Sequence, residues 1–165
     1  AISARKGAQV VSLSPTEAME LFEIEGELYG LMARRLAKGA PEAALSLMDE
    51  AIGLMAGSIA ADAPCLDFLV VVNQLSLDLA RMCGNDSLPH VMSLILVRNV
   101  GYTRSSLTCP NRKERILAAW KAMRDHVRAG DAPAAERAAR TIVEDFASAV
   151  LKLAAEQAEA AEAGA

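Results

Sequence analysis

The sequence predicts an all-α domain built as an antiparallel helical bundle. Alanine and leucine, both strong helix formers, account for 33 and 20 of the 165 residues, whereas aromatic residues make up only 4%. Hydrophobic side chains make up 53%, which is enough for a continuous core in one domain. Prolines recur at intervals of 21 to 26 residues, and each suits the first turn of a helix, where a missing N–H costs little. They are Pro15, Pro41, Pro64, Pro89, Pro110 and Pro133.

The first predicted helix has the clearest boundaries. Ser14 and Glu17 have the spacing of a capping box, in which each side chain accepts a hydrogen bond from the backbone N–H of the other residue. This helix is expected to run to about Ala37 and to stop at Gly39.

Five further helices follow the same signals, proline or a polar cap at the start and glycine at the end. They are expected over residues 41–57 and 64–84, from Ser87 with a bend at Gly101, from Thr108 to Gly130, and from Asp131 onward. The third is apolar on nearly all its faces and is therefore predicted to be the central helix of the bundle. Residues 1–13 lack helical periodicity and are predicted to be a linker, and the Ala/Glu-rich residues 154–165 a frayed tail.

Polar side chains interrupt the apolar stripes of the predicted helices. Glu25 lies on the stripe of helix 1, Asn73 and Ser76 lie on helix 3, and Arg98 follows an apolar line on helix 4. Glu25 and Arg98 are either solvated or ion-paired at a boundary, or they anchor a ligand, because burying an unpaired charge is costly. Ser76 can bond back to a carbonyl in the preceding turn. Trp120, the only tryptophan, is more typical of a core residue than of a ligand-stacking surface.

The sequence contains no recognisable catalytic or metal-binding motif. The only histidines, His90 and His126, lie on different predicted helices and are expected at the surface or at a boundary. The three cysteines, Cys65, Cys83 and Cys109, are far apart and are expected to be reduced, structural thiols. We therefore expect no enzyme activity and no metal.

Charge and hydropathy exclude two classes of partner. The net charge is −4, which gives no electrostatic footprint for nucleic acid. No charge-free run approaches the ~20 apolar residues of a membrane span, and the first residues lack the apolar core of a secretory signal. A cytoplasmic protein that does not contact a membrane is expected. Residues 98–115 contain five cationic side chains and one acidic side chain, Glu114. We interpret this stretch as a solvated face, or alternatively as a binding site for the anionic tail of a ligand. These cations are Arg98, Arg104, Arg112, Lys113 and Arg115.

Three segments together resemble a known family. They are residues 21–37 (LFEIEGELYGLMARRLA), residues 75–85 (LSLDLARMCGN) and residues 120–135 (WKAMRDHVRAGDAPAA). In order and spacing they resemble the first helix, the Gly-Asn segment and the Gly-Asp segment of the C-terminal effector-binding (FCD) domain of GntR-family transcription regulators, FadR branch. The resemblance covers roughly residues 14–150.

The resemblance implies six to seven helices around a central ligand cavity, with residues 14–153 forming the effector-binding and dimerisation domain. It also implies a homodimer and a DNA-binding winged helix-turn-helix domain, absent from this chain, to which residues 1–13 would be the remnant of a linker. Many family members bind a metal through one aspartate and three histidines. The motifs place those roles at Val72, Ser76, Trp120 and Ile142, none of which is a competent ligand. An arginine that meets carboxylate effectors in relatives corresponds here to Glu25.

The departures from the family pattern predict an unusual effector. Without metal or another cofactor, the pocket suits a small, largely apolar or acyl-like molecule. Its expected lining residues are Glu25, Tyr29, Val72, Asn73, Ser76, Arg98, Trp120, Met123 and Ile142. Two alternatives stay open: a degenerate pocket in a purely structural dimerisation module, and a stand-alone helical bundle that binds small molecules or lipids.

Overall fold

The computed structural model describes residues 14–39 and 42–163, and these residues form six α-helices. The helices are α1 (Pro15–Gly39), α2 (Glu42–Ala60), α3 (Cys65–Met82), α4 (Leu88–Ser106), α5 (Arg112–Arg128) and α6 (Ala132–Ala163). No strand occurs in these two ranges. The predicted all-α helical bundle is therefore confirmed. The linker predicted over residues 1–13 lies outside the described residues.

α1 begins at the capping box that the sequence predicts. The backbone N–H of Ser14 donates to Glu17 Oε2 over 2.8 Å, and the backbone N–H of Glu17 donates to Ser14 Oγ over 3.2 Å. The hydrogen bonds from Ser14 also lower the pKa of the Glu17 carboxyl, because they favour its ionised form. The first turn of α1 thus satisfies two N–H groups that have no partner within the helix.

α1 occupies the middle of the bundle. It packs against α3, α4, α5 and α6, and most extensively against α6. Gly30 is buried at the α1–α6 contact, where an added Cβ would lie only 3.0 Å from Arg140 Nε. Arg34 and Glu136 form an ion pair of 3.1 Å across the same contact. A larger residue at position 30 would therefore require the Arg140 and Glu136 side chains to move.

α3 is not the central helix, contrary to the sequence-based prediction. It packs against α2, α4 and α1, and its outer side faces solvent. Leu66 and Val70 lie on that side and are 48% and 59% exposed. Phe68, Leu69 and Val72 face the core instead. The composition of α3 suggested burial all round because apolar residues occupy both its inner and its outer side.

α2 extends three residues beyond the predicted stop at Gly57. It ends in a Schellman motif, in which the N–H of Asp62 donates to the carbonyl of Ile59 and the N–H of Ala63 donates to the carbonyl of Ser58. Asp62 takes the left-handed conformation (φ 48°) that the prediction assigned to a glycine. The predicted stops at Gly84 and Gly130 are confirmed, since both glycines have positive φ two residues after the last residue of their helices.

α2 is the one described helix whose length and composition would also allow it to cross a membrane, a property shared by core helices of soluble proteins. Its contacts are those of a bundle helix: it packs against α3 and α5. Asp49 of α2 accepts hydrogen bonds from Arg124 and Arg128 of α5, the latter over 2.7 Å. These contacts join α2 to the rest of the domain.

The remaining helix boundaries differ from the prediction by a few residues. α4 continues through Gly101 to Ser106 as one helix. α5 begins at Arg112, because Asn111 before it has a left-handed backbone (φ 55°). α6 continues to Ala163, and the fraying predicted for residues 154–165 stays a prediction.

Candidate functional site

The centre of the bundle contains five side chains with polar atoms, which we call the central polar cluster. They are Glu25 and Tyr29 of α1, Ser76 of α3, Asn99 of α4 and Trp120 of α5. None is more than 5% exposed. Polar atoms at this depth are costly unless they are hydrogen-bonded, so their partners decide what the cluster can bind.

The carboxyl of Glu25 is hydrogen-bonded to a side-chain amide rather than paired with a cation. Asn99 Nδ2 donates to Glu25 Oε2 over 3.0 Å. Burial raises the pKa of the Glu25 carboxyl to about 7, and the hydrogen bond from Asn99 only partly opposes this. One interpretation of the sequence placed Glu25 at a boundary, where its carboxylate would reach water or pair with an arginine. That interpretation is wrong, because Glu25 is buried and its partner is Asn99. At neutral pH the carboxyl is divided between its protonated and ionised forms.

Tyr29 and Ser76 form a second buried hydrogen bond, with 2.6 Å between Tyr29 Oη and Ser76 Oγ. Ser76 Oγ also donates to the carbonyl of Val72 over 2.7 Å, as the sequence predicted. Because a serine hydroxyl has one proton, Tyr29 is the donor to Ser76. Burial raises the pKa of the Tyr29 hydroxyl, and the nearby carboxyl of Glu25 raises it further, so Tyr29 stays protonated.

Two polar atoms of the cluster have no hydrogen-bond partner in the described part of the chain. They are Trp120 Nε1, a donor, and Asn99 Oδ1, an acceptor. The Trp120 ring lies against Tyr29, with 6.2 Å between the ring centroids and 59° between the planes. Trp120 is thus a core residue whose polar atom lacks the partner that buried indoles usually have.

A separate groove lies on the outside of the α1–α6 contact. It has a volume of about 400 Å³, with an apolar floor that includes Phe22 and Val143 and an acidic rim that includes Glu20, Glu23 and Glu144. None of the nine predicted pocket residues lines it. The groove and the central polar cluster are therefore different places in the molecule.

Comparison with known proteins identifies the family. A family model described as the FCD domain matches residues 20–145, which is most of the chain and includes all five residues of the central polar cluster. The chain belongs to the FCD domain family. The resemblance inferred from the sequence is therefore confirmed. Among curated proteins, no match is found.

FCD domains are the effector-binding and dimerisation domains of GntR-type transcription regulators, a family of regulators rather than of enzymes. The metal site common among them does not fit the residues of this FCD domain. Val72, Trp120 and Ile142 carry no metal donor, and the Ser76 hydroxyl already bonds Tyr29 and Val72. Residues 14–39 and 42–163 also contain no group of three or more His, Cys, Asp or Glu residues that could hold a metal ion.

The nine predicted pocket residues differ in their placement within this FCD domain. Seven are buried: Glu25, Tyr29, Val72, Ser76, Trp120, Met123 and Ile142. Asn73 is half-buried, and Arg98 is exposed on the outer side of α4. Arg98 interacts electrostatically with Glu17 near the start of α1. Their common role as a pocket stays a prediction.

Sequence reasoning missed Asn99, the residue next to Arg98. The buried residues of α4 follow helical spacing, with Ile95 and Leu96 adjacent: Leu88, Met92, Ile95, Leu96, Asn99, Thr103 and Ser106. A second apolar series, displaced by one or two positions, covers the outer side: Val91, Leu94, Val97 and Val100. The prediction followed Val91 and Leu94/Ile95 to Arg98 and so mixed the two series. The usable signal was that Asn99, Thr103 and Ser106 continue the first series at helical spacing.

The interpretation of residues 98–115 as a solvated face is also wrong at one position. Arg98, Arg104 and Arg115 are exposed, but Arg112 is only 1% exposed. None of the three nitrogen atoms of its guanidinium has a hydrogen-bond partner within the described chain.

Proposed function

We propose that this FCD domain is the sensing and dimerisation part of a metal-independent, cytoplasmic GntR/FadR-type regulator. In this proposal it binds a small, largely apolar effector at the central polar cluster. A winged helix-turn-helix domain outside this chain would bind DNA, and the effector would alter that binding. The observation that carries the proposal is the pair of unpartnered polar atoms, Trp120 Nε1 and Asn99 Oδ1, in the centre of the bundle.

Unpartnered polar atoms favour a ligand because each costs about 1–3 kcal/mol in an apolar interior. An effector that accepts a hydrogen bond from Trp120 and donates one to Asn99 would recover that cost. A neutral acid, an alcohol or an amide can do both. Such a group therefore supports binding without a metal.

The remainder of the proposed pocket is apolar, which favours a hydrocarbon or acyl-like body on the effector. Val72, Met123 and Ile142 are at most 1% exposed and belong to the hydrophobic core. Arg98, the one cation among the predicted pocket residues, is exposed, so an ionised carboxylate would have no opposite charge among them. A neutral polar group on an apolar body suits these surroundings best.

The proposed mechanism is a shift between two arrangements of the bundle. The cluster joins α1, α3, α4 and α5, so a ligand that separates or draws together these side chains changes how the helices pack. Only an effector with different affinity for the two arrangements would change DNA binding.

A purely structural dimerisation module is the second candidate. It is favoured by the tight burial of Tyr29, Trp120 and Met123, each at most 1% exposed, which leaves these side chains in close contact with neighbours rather than with solvent. In that case the unpartnered atoms would be a cost without a function.

Fluorescence of Trp120, the only tryptophan, tests the proposal directly. The probes are fatty acids, fatty alcohols, fatty amides, acyl-CoAs and short organic acids, first ranked by thermal shift. We expect a neutral apolar probe to change the Trp120 emission and raise the melting temperature. Trp120→Phe removes the indole N–H, and we expect it to weaken binding about tenfold, measured by calorimetry, since one hydrogen bond is lost.

Arg98→Ala is the matched control, because Arg98 is a predicted pocket residue that the structure places at the surface. It should leave the affinity unchanged. If Trp120→Phe and Arg98→Ala bind the probe equally well, the site lies elsewhere. If no probe of any class binds, the structural module is the correct function.

A further inference from the structure

A second feature of the molecule lies away from the central polar cluster, where the end of α2 and the start of α3 face the α4–α5 loop. A cavity of about 260 Å³ opens there between the two segments. Its largely polar walls include Cys65, Cys109 and Arg112. The cavity shares no residue with the proposed effector pocket, so its chemistry is independent of the proposed function.

Two of the three cysteines, predicted to be isolated structural thiols, line this one cavity. Cys65 is the first residue of α3, and its Sγ lies 3.6 Å from the carbonyl oxygen of Leu107. Cys109 follows Leu107 by two residues in the α4–α5 loop. Both thiols are free and half-buried. The fold therefore brings together two cysteines that are 44 positions apart in the sequence.

The same cavity has a buried cation beside it. The Arg112 side chain is fully buried, and none of its nitrogen atoms has a hydrogen-bond partner in the described residues. Its nearest carboxylate, Asp145 Oδ1, is 3.5 Å from Nη1, and its guanidinium lies 5.0 Å from the centroid of the Phe146 ring. Arg112 and Cys109 line the same cavity.

Three other charged side chains line the cavity. The ammonium of Lys113 donates to the carbonyl of Ala63 over 2.6 Å. Asp62 and Glu114 also line the cavity, and both are exposed to solvent, where their charges are screened. The Arg112 side chain, in contrast, is shielded from solvent.

We propose that Cys109 and Cys65 form a peroxide-sensitive thiol pair, in which Cys109 is oxidised first and Cys65 then closes a disulfide. Cysteines that react with peroxide are partly exposed and lie near cationic side chains. Cys109 is half-buried and lines the same cavity as Arg112 and Lys113. Cys83 serves as the contrast within the chain. It is 7% exposed, and its thiol donates to the carbonyl of Ala80.

The two steps balance with hydrogen peroxide as the oxidant. The Cys109 thiolate attacks one peroxide oxygen; an S–O bond forms, the O–O bond breaks, and the leaving hydroxide takes a proton to become water. The Cys65 thiolate then attacks the sulfur of the Cys109 sulfenic acid; the S–S bond forms, the S–O bond breaks, and the leaving hydroxide takes a proton to become a second water. The two protons are those that the two thiols lose on ionising. Overall, two thiols lose two electrons and two protons, and hydrogen peroxide is reduced to two molecules of water.

Thiol mapping of the reduced 165-residue chain tests the proposal. The protein is treated with hydrogen peroxide at low protein concentration, the remaining thiols are blocked with iodoacetamide, and the peptides are identified by mass spectrometry. We expect a Cys65–Cys109 disulfide within one chain while Cys83 stays alkylated, with Cys109 reacting at least about tenfold faster than Cys83. Equal rates at Cys83 and Cys109, or disulfides between chains only, would overturn the proposal.

Single substitutions separate the roles of the two thiols. Cys65→Ser should stop the reaction at a sulfenic acid on Cys109, which dimedone traps. Cys109→Ser should leave Cys65 reduced, and Cys83→Ser should behave like the wild type. If Cys109→Ser leaves the oxidation of Cys65 unchanged, the proposed order of steps is wrong.

The role of Arg112 needs variants that keep the fold, because this side chain is buried. Asp145→Asn removes the nearest carboxylate while leaving Arg112 in place, and it should speed the oxidation of Cys109 several-fold. Arg112→Lys retains the positive charge and should still react faster than Arg112→Gln. Circular dichroism of each variant verifies its helical content. Unchanged oxidation rates in a folded Asp145→Asn protein would exclude the electrostatic role of Arg112.

Discussion

Glu25 is a single buried side chain that makes the stability of the domain depend on pH. Its carboxyl is buried, accepts a hydrogen bond from Asn99, and has a pKa raised from 4.5 to about 7. The folded state therefore binds more protons at this position than the unfolded state between pH 4.5 and about 7. Because stability rises with pH only where the unfolded state binds more protons, Glu25 makes stability fall as pH rises through this range.

We predict that Glu25→Gln removes this pH dependence. Near pH 4.5 the wild type and the variant should have similar free energies of unfolding. At pH 8 the variant should be more stable by about 3 kcal/mol, the equivalent of the raised pKa. Urea denaturation of both proteins at the two pH values measures the difference. This interpretation of Glu25 is wrong if the free energies of unfolding of the variant and the wild type differ by the same amount at both pH values.

At the scale of secondary-structure elements, the start of α1 depends on side chains that are adjacent in the sequence. Ser14 and Glu17 exchange hydrogen bonds over 2.8 and 3.2 Å, and this local motif was predictable because it involves a spacing of three residues. The Schellman motif at the end of α2 was less predictable, because Asp62 rather than glycine takes the left-handed conformation.

Ser14→Ala should destabilise the domain by about 1 kcal/mol, the usual cost of losing an N-terminal cap. Thermal or urea unfolding followed by circular dichroism measures this change. Thr16→Ala, an exposed substitution in the same turn, is the control and should have a smaller effect. Equal losses in the two variants would mean that the capping box contributes no stability.

At the scale of the whole molecule, the outer side of α4 carries four exposed large hydrophobic residues. Val91, Leu94, Val97 and Val100 follow one another at three-residue spacing and are 42–73% exposed. Exposed apolar residues grouped in this way are typical of interaction surfaces. Since FCD domains are dimerisation domains, we propose a second copy of this chain as the partner.

Leu94→Glu should convert the proposed dimer to a monomer, because a two-fold interface buries the new charge of both copies. Analytical ultracentrifugation at micromolar concentration measures the mass. Leu54→Glu, on an exposed leucine of α2 (56% against 68% for Leu94), is the control and should stay dimeric. A monomeric wild type, or a dimeric Leu94→Glu variant, would exclude this interface.

The sequence by itself determined the helices, most of their boundaries and the family, because these depend on residues a few positions apart and on short motifs. It also determined that this domain has only two histidines, too few for the usual metal site. Only the tertiary structure decided which sides of the helices face inward. α4 carries apolar residues on both sides, so periodicity could not separate the buried Asn99 from the exposed Arg98. Burial of Arg112, and the meeting of Cys65 and Cys109 at one cavity, likewise depend on neighbours that are distant in the sequence.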